Sequence, residues 1–568
     1  DRGTTCPLHS AAVVHLSWTP KEARVACPVF ASMTCVSSPF PVAIANVKCV
    51  PRFKTKGTGR SVANLLSRSA FRQVSGTSPT GSKLGRDTTT RAFASHSDEY
   101  SGPLDVVALG NMCVDILHPP GPIPDAQSLK TSEFLTTLDE SLFARERERW
   151  EVGGNCNFLI AAARLGMRVE CVGHVGNDAA GAFLKNTLHD EGVPLRRLAS
   201  RELVDEVREK ERKKNGAETG SQMDKTLVCH VLRDGDGGHA FCSRYDLGPW
   251  PLLAEVNGVD DHAAKSLGKT RAVFVNGFVF DELKPSAVKS AVAIAKANGA
   301  GIFFDPGPRA FTFVKKRGSK DSKQYVERAE ALDMILSNCD VILATLEEAA
   351  ALVERGDAAD VGHGALRGTA VGGGASVEVA SLDENDGKDS NARLKGKFTL
   401  DPATVAFQLL RRPGCSADWV VIKCGPDGAS VFTKRGDMVF VGSPSVTVGD
   451  TVGCGDSAAA AIVLGYAKIQ AVKKKLFEAS SGKIAYLPNA KLAAMIEETL
   501  TLATATGAAT ATTIGAGRNV ATVDLVKSLL DSCVCDTESC AGWGISPDAA
   551  KRAKALLDDS LEKSGKRE

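Results

Sequence analysis

No run of roughly 18 or more apolar residues occurs in this chain, so it offers no candidate transmembrane helix. A charge imbalance is missing too. The 69 Lys and Arg against 67 Asp and Glu leave a formal net charge of +2, which gives no reason to expect a nucleic acid or strongly acidic partner. The 16 cysteines, scattered over 568 residues, do not form a secreted disulfide framework; they fit reduced thiols in an intracellular compartment. Cys533, Cys535 and Cys540 lack a fourth ligand at metal spacing, so no metal is expected there. Acidic residues are absent from one whole stretch: none lies between Glu22 and Asp87, while Lys48, Arg52, Lys54, Lys56, Arg60, Arg68 and Arg72 accumulate among Ser and Thr. That composition over residues 1–100 reads as an organelle transit peptide; the alternative is a disordered basic leader. What remains is ordinary for a soluble globular protein, with 43% hydrophobic and 24% charged residues, and the length suits one large domain with extensions.

The chain is organised around Asp450-Thr451-Val452-Gly453-Cys454-Gly455-Asp456. Apolar β-branched residues precede it (Val439 to Val441, Val446 to Val448), and the small-residue run Ser457 to Leu464 follows, a pattern that predicts strand, glycine turn and helix. Two glycines let successive N–H groups converge at a helix N-terminus, where the dipole favours an anion. Asp456 at the mouth of the turn is placed to accept a proton from an attacking hydroxyl. The alternative is a tight turn with an aspartate near a helix start. A thiol at a helix N-terminus is expected to be acidified, which would make Cys454 redox-sensitive; the bland reading is a small residue filling the turn.

Strands and helices alternate along the rest. Leu104–Gly110, Val169–Val175, Arg271–Gly277, Gly301–Asp305, 341–344 and Trp419–Lys423 predict buried strands, with helices at Phe158–Leu165, Pro285–Ala297, Tyr325–Leu336 and Leu500–Thr513, which implies a parallel sheet covered on both faces. Asp115 lies just past the first strand. Gly153, Gly154 and Asn157 open a helix, where a diglycine would let a ligand approach the backbone. Thr226–Val231 and His239–Ser243 predict a hairpin. Residues 201–225 and 355–400 read as inserts, and 531–568 as a polar tail.

Taken together, Asp-Thr-x-Gly-x-Gly-Asp at 450–456, the diglycine stretch through Asn157, the Asp305-Pro306-x-x-Arg309 turn and Thr345-x-x-Glu348 resemble, in order, the motifs of the pfkB (ribokinase-like) sugar and nucleoside kinases. The resemblance covers about 104–530. It departs at Cys454 (usually Ala), Thr345 (usually Asn) and Lys423 (commonly Thr). It implies a three-layer α/β/α sandwich with a mostly parallel sheet and a small β-sheet lid. It implies transfer of the γ-phosphoryl of ATP to a hydroxyl of a sugar or nucleoside, with Mg²⁺ and a monovalent cation. Asp456 would be the base, with Gly453, Cys454 and Gly455 as anion hole. Asp115, Gly153, Gly154 and Asn157 would hold the acceptor. Lys423, Gly425, Gly428, Thr451, Gly515 and Ala516 would hold ATP, and Glu348 would reach the metal through water. Gly-Cys-Gly-Asp-Ser with Gly515-Ala516-Gly517-Arg518-Asn519 resembles a plant and algal plastid branch, which favours the plastid stroma over the mitochondrion; a homodimer through the lid is a family habit. The alternative from another class is a kinase-fold scaffold.

Overall fold

Apolar strand runs that end in a single polar residue build the centre of the molecule. The computed structural model describes residues 103–123, 147–197, 225–233, 239–243, 251–253, 256, 258–313, 322–354, 401–480, 487–535 and 542–565, all within one compact unit. The leader, the first insert except Lys225, the whole second insert, the 234–238 turn and Cys540 lie outside them. In order come β1 (Val106–Leu109), β2 (Met112–Leu117), β3 (Trp150–Gly154), α1 (Asn155–Arg164), β4 (Val169–Gly173), α2 (Ala179–Asp190) and β5 (Leu195–Arg197). Next are β6 (Leu227–Arg233), β7 (His239–Ser243), α3 (Asp261–Lys269), β8 (Ala272–Asn276), α4 (Val279–Glu282), α5 (Pro285–Ala297) and β9 (Gly301–Asp305). They are followed by α6 (Ser322–Leu336), β10 (Val341–Thr345), α7 (Leu346–Glu354), α8 (Pro402–Arg411), β11 (Trp419–Lys423), β12 (Ala429–Thr433) and β13 (Met438–Val441). The helices α9 (Cys454–Ala479), α10 (Asn489–Ala511), α11 (Val523–Cys535) and α12 (Pro547–Lys563) complete the order.

The main sheet has nine strands in the order β13-β12-β11-β10-β9-β8-β1-β4-β5. It is parallel from β11 to β5, and β12 and β13 join antiparallel. One face packs on α1, α2 and α9 to α12, the other on α3 to α8, so each face has its own apolar core. This is the three-layer α/β/α sandwich. A second sheet, β3-β2-β6-β7, mixes one parallel and two antiparallel pairings. It is the small lid sheet, and β6–β7 is the hairpin read from the sequence. Strand order reverses at β1, between β4 and β8, and such a switch point opens a crevice at the carboxyl ends of the strands.

Two expectations need correction, and one helix was not foreseen. Val446 to Val448 is not strand: β13 stops at Val441 and its edge pairing ends there, leaving Val448 exposed. A helix, α8, follows the second insert and buries Val405, Ala406, Leu409 and Leu410. Residues 531–568 are not merely a polar tail. In α12, Ala549, Ala550, Ala553, Leu556, Leu557 and Leu561 are buried at helical spacing, and Ser560 Oγ donates to the Leu165 carbonyl at the end of α1. Gly166, at φ +86, leaves no room there for a side chain, since a Cβ would meet the Ser560 carbonyl. Leu557→Ala is therefore expected to cost about 2–5 kcal/mol in a denaturant melt; a change within about 0.5 kcal/mol would fit a solvated tail instead.

Candidate active site

Side chains alternate along a strand, so the residue two beyond a buried apolar one shares its face. Phe274, Phe303, Leu343 and Val421 all lie in the core that packs on α9. Two residues on stand Asn276, Asp305, Thr345 and Lys423, a polar row across the carboxyl edge of β8 to β11, set side by side by the register Asn276↔Asp305 and Thr345↔Lys423. Lys423 Nζ donates to Asp305 Oδ2 at 2.6 Å, with the two side chains 19% and 9% exposed. Glu348 closes a capping box: its Oε2 accepts from the Thr345 N–H at 2.8 Å and Thr345 Oγ accepts from the Glu348 N–H at 3.3 Å. Burial raises the Glu348 carboxyl, and Lys423 opposes the rise.

The row faces the first turn of α9. Gly453, at φ +81, is its N-cap and admits the left-handed turn a side chain would strain. The N–H groups of Gly455 and Asp456 have no acceptor within the helix, so they converge on the cleft. The Lys423 ammonium lies beside them, 3.5 Å from where a Cβ on Gly455 would stand. Two positive features facing each other suit an anion between them. Burial and the Asp305 charge push the Asp456 carboxyl up to about 7, while a hydrogen bond from Asn157 and the Lys423 charge pull it down.

The lid sheet closes the other side. Leu117 and Val231 meet Val452 and Ala516. On the same lid face Asp115 is buried, accepts from the Cys113 thiol at 3.3 Å, and is pushed up to about 7, chiefly by desolvation and also by the Asp456 and Glu151 charges. Gly153 has no side chain because the Asp115 carboxylate fills that space, 2.1 Å from where a Cβ would lie.

The profile of pfkB family carbohydrate kinases matches residues 133–202 and 400–522. Among its sequence relatives, a 5-dehydro-2-deoxygluconokinase of Geobacillus kaustophilus (strain HTA426) is 25% identical over 371 residues, 64% of this chain and 82% of the relative. The enzyme of the same name from Geobacillus thermodenitrificans (strain NG80-2) is 24% identical, covering 64% and 81%. Similar solved structures include an adenosine kinase from Sinorhizobium meliloti (18% identity, 76% of this chain, 100% of that one, TM-score 0.47) and a fructokinase with bound ATP from Xylella fastidiosa (19%, 76%, 98%, TM-score 0.46).

The positions of the expected pfkB site residues divide into three groups. Asp456, Gly453, Cys454, Gly455, Asn157 and Lys423 come together at the start of α9, and Asp115 faces them from the lid sheet rather than from a loop. At Gly154, with φ +60, a Cβ would lie 2.3 Å from the Asn111 carbonyl, so chain packing by itself requires glycine there. Gly428 lies against Val441 and Gly442, and Ala516 is 1% exposed against Gly453, so both are filled by packing, whereas Gly425 and Thr451 are exposed. Gly515 donates to Asp450 Oδ2 at 3.0 Å and stabilises the turn. The Cys454 thiol is pushed up to about 12, first by burial and then by the Asp450 and Asp456 charges, which corrects the expectation of an acidified thiol. Asp305 was not singled out as a site residue. Its signal was a carboxylate ending an apolar strand run beside the switch-point crevice.

Proposed function

We propose that this protein transfers the γ-phosphoryl group of ATP to a hydroxyl of a sugar-type acceptor. The observation that carries the reading is Asp456, a carboxylate on the first turn of α9, between the anion-binding turn and the Lys423–Asp305 pair. The names of the sequence relatives support a sugar-derived acceptor over a nucleoside.

Among the described residues, no cluster of three or more potential ligands encloses a metal ion. Mg²⁺ commonly keeps several waters and uses one or two carboxylates with substrate phosphates, and the buried Asp305 and Glu348 beside the anion turn fit that donor set. Bound ATP with Mg²⁺ supplies the transferable group and neutralises its charge. The protein's own part is to place and deprotonate the acceptor. Asp456 takes the hydroxyl proton as the new O–P bond forms, and the bond to ADP breaks with its electron pair leaving on ADP. The Gly455 and Asp456 N–H groups and the Lys423 ammonium stabilise charge on the transferring group. Asp115 accepts from a further acceptor hydroxyl, and the lid sheet keeps water from competing for the phosphoryl group.

The test is ADP release measured against hexoses, pentoses, sugar acids and nucleosides with Mg²⁺ and ATP. Acceptor-dependent release with at least one sugar-type compound is expected. Release with no acceptor in the panel, although ATP binds, would overturn the reading in favour of a kinase-fold scaffold.

A further inference from the structure

Asn276 ends β8 and stands in the polar row, yet it is 9% exposed and has no part in the chemistry above. Its Oδ1 is buried and meets no donor, and its Nδ2 makes no hydrogen bond among the described residues. The rest of the row is paired: Lys423 with Asp305, and Thr345 with Glu348. A buried amide without a partner costs stability, so the partner of Asn276 is to be sought outside the chain.

The packing of β8 places this amide on the acceptor side of the crevice. Phe274, two residues earlier on the same face, stacks on Phe158 of α1 with ring centroids 3.9 Å apart. The helix α1 begins at the carboxyl end of β1, where Asn155 Nδ2 donates to the Leu109 and Gly110 carbonyls at 2.9 and 2.8 Å. Two residues further along β8 and one turn back along α1 both lead to that edge, so Asn276 comes level with Asn155. The register Ala108↔Phe274, continued by two residues, likewise sets Asn276 beside Gly110. Asn155 has spent both amide hydrogens on those carbonyls, and its buried Oδ1 also meets no donor. In the same turn of α1 the Cys156 thiol is pushed up by burial, then by the Asp115 charge, and also by that of Asp456. This corner therefore lies between Asp115 of the lid and Asp456 of α9.

We propose that Asn276 is a further acceptor-binding residue and that the acceptor is a polyol: one hydroxyl reacts at Asp456, another meets Asp115, and a third pairs with the Asn276 amide. The inference rests on the phosphoryl-transfer reading of this crevice. A hydroxyl both donates and accepts, and no protein bond fixes the amide, so either Oδ1 or Nδ2 can turn toward it. A site that hydrogen-bonds a hydroxyl rejects a compound lacking it, because the protein group is then left unpaired.

The test is Asn276→Ala, with Asn276→Ser in its place should the alanine variant fail to fold, measured with D-fructose, D-ribose, D-gluconate and adenosine. The acceptor KM is expected to rise about tenfold or more, with the ATP KM within about threefold of the wild type. Without acceptor, the melting temperature is expected to hold or rise, since the variant removes an amide that has no partner. An acceptor KM unchanged for every compound, or an ATP KM that rises alone, would overturn the proposal. So would a variant that melts lower while both KM values stay put, the mark of an amide that only supports the fold. Melting with ADP, Mg²⁺ and each compound gives a result independent of turnover. A compound that raises the wild-type melting temperature and leaves that of the variant unmoved supports the contact; equal shifts in both, or none, overturn it. If that difference is seen while ADP is never released, the phosphoryl-transfer reading fails and the Asn276 contact stands.

Discussion

Asp456→Asn is expected to cut acceptor-dependent ATP turnover by about 10²–10⁴-fold, the range a positioned general base contributes. The amide keeps the size and the neighbours of the carboxylate, so nucleotide binding persists and the loss falls on kcat. The same substitution is expected to stabilise the protein in mildly alkaline solution. The folded-state carboxyl lies at about 7 against a reference of 3.8, raised by burial and by Asp305. A group raised in this way contributes stability below its unfolded value and loses it as pH rises through the folded one. Above about pH 7 the wild type therefore holds a buried charge that the variant lacks. Melting curves for both proteins on either side of neutrality check the sign: the variant gains on the wild type as pH rises. A variant with near wild-type kcat, or one destabilised relative to wild type only at high pH, would contradict the role given to this carboxylate.

Lys423→Met carries the second large effect. It leaves Asp305 buried with Glu348 and Asp456 nearby and no cation among them. Removing one partner of a buried pair costs about 3–5 kcal/mol. Asp456 loses an influence that favours its ionised form, so the acid limb of kcat moves to higher pH. Turnover also falls, because the ammonium no longer faces the transferring group. The double variant Lys423→Met with Asp305→Asn separates these consequences. It removes both charges, so most of the stability returns while turnover stays low. A single variant as stable as the wild type would show that the pair is solvated and the polar row is not the buried unit described above.

Much of the fold was legible because its strands are near-continuous apolar runs. The limits of β9 and α5 coincide with the sequence reading, and β8 is shorter by one residue at each end. The glycine turn and helix start that hold Asp456 were legible from their own residues. The partners of the site residues were not, since they depend on register. Nothing near Lys423 in sequence announces Asp305, 118 residues away; they meet because β9, β10 and β11 align side by side. Asn157 shows the same limit. Its motif marks it as polar, yet the backbone N–H that its side chain accepts from belongs to Gly517, 360 residues further on. The helix α12 was missed for another reason. Its charged residues outnumber the apolar ones, and only the spacing of Ala549, Ala553, Leu556 and Leu557 betrays a buried stripe.

That helix has a consequence for how the molecule is made. Ser560 closes on Leu165 across 395 residues of chain. A ribosome adds about 5–20 residues each second, so α1 waits on the order of tens of seconds for the neighbour that covers its end. During that interval apolar surface that will later face α12 stands open, and parallel strands of high sequence separation are slow to pair. Synthesis thus exposes the layer that carries Asn157 to chaperones and to aggregation for longer than the helices packed on the opposite face of the sheet.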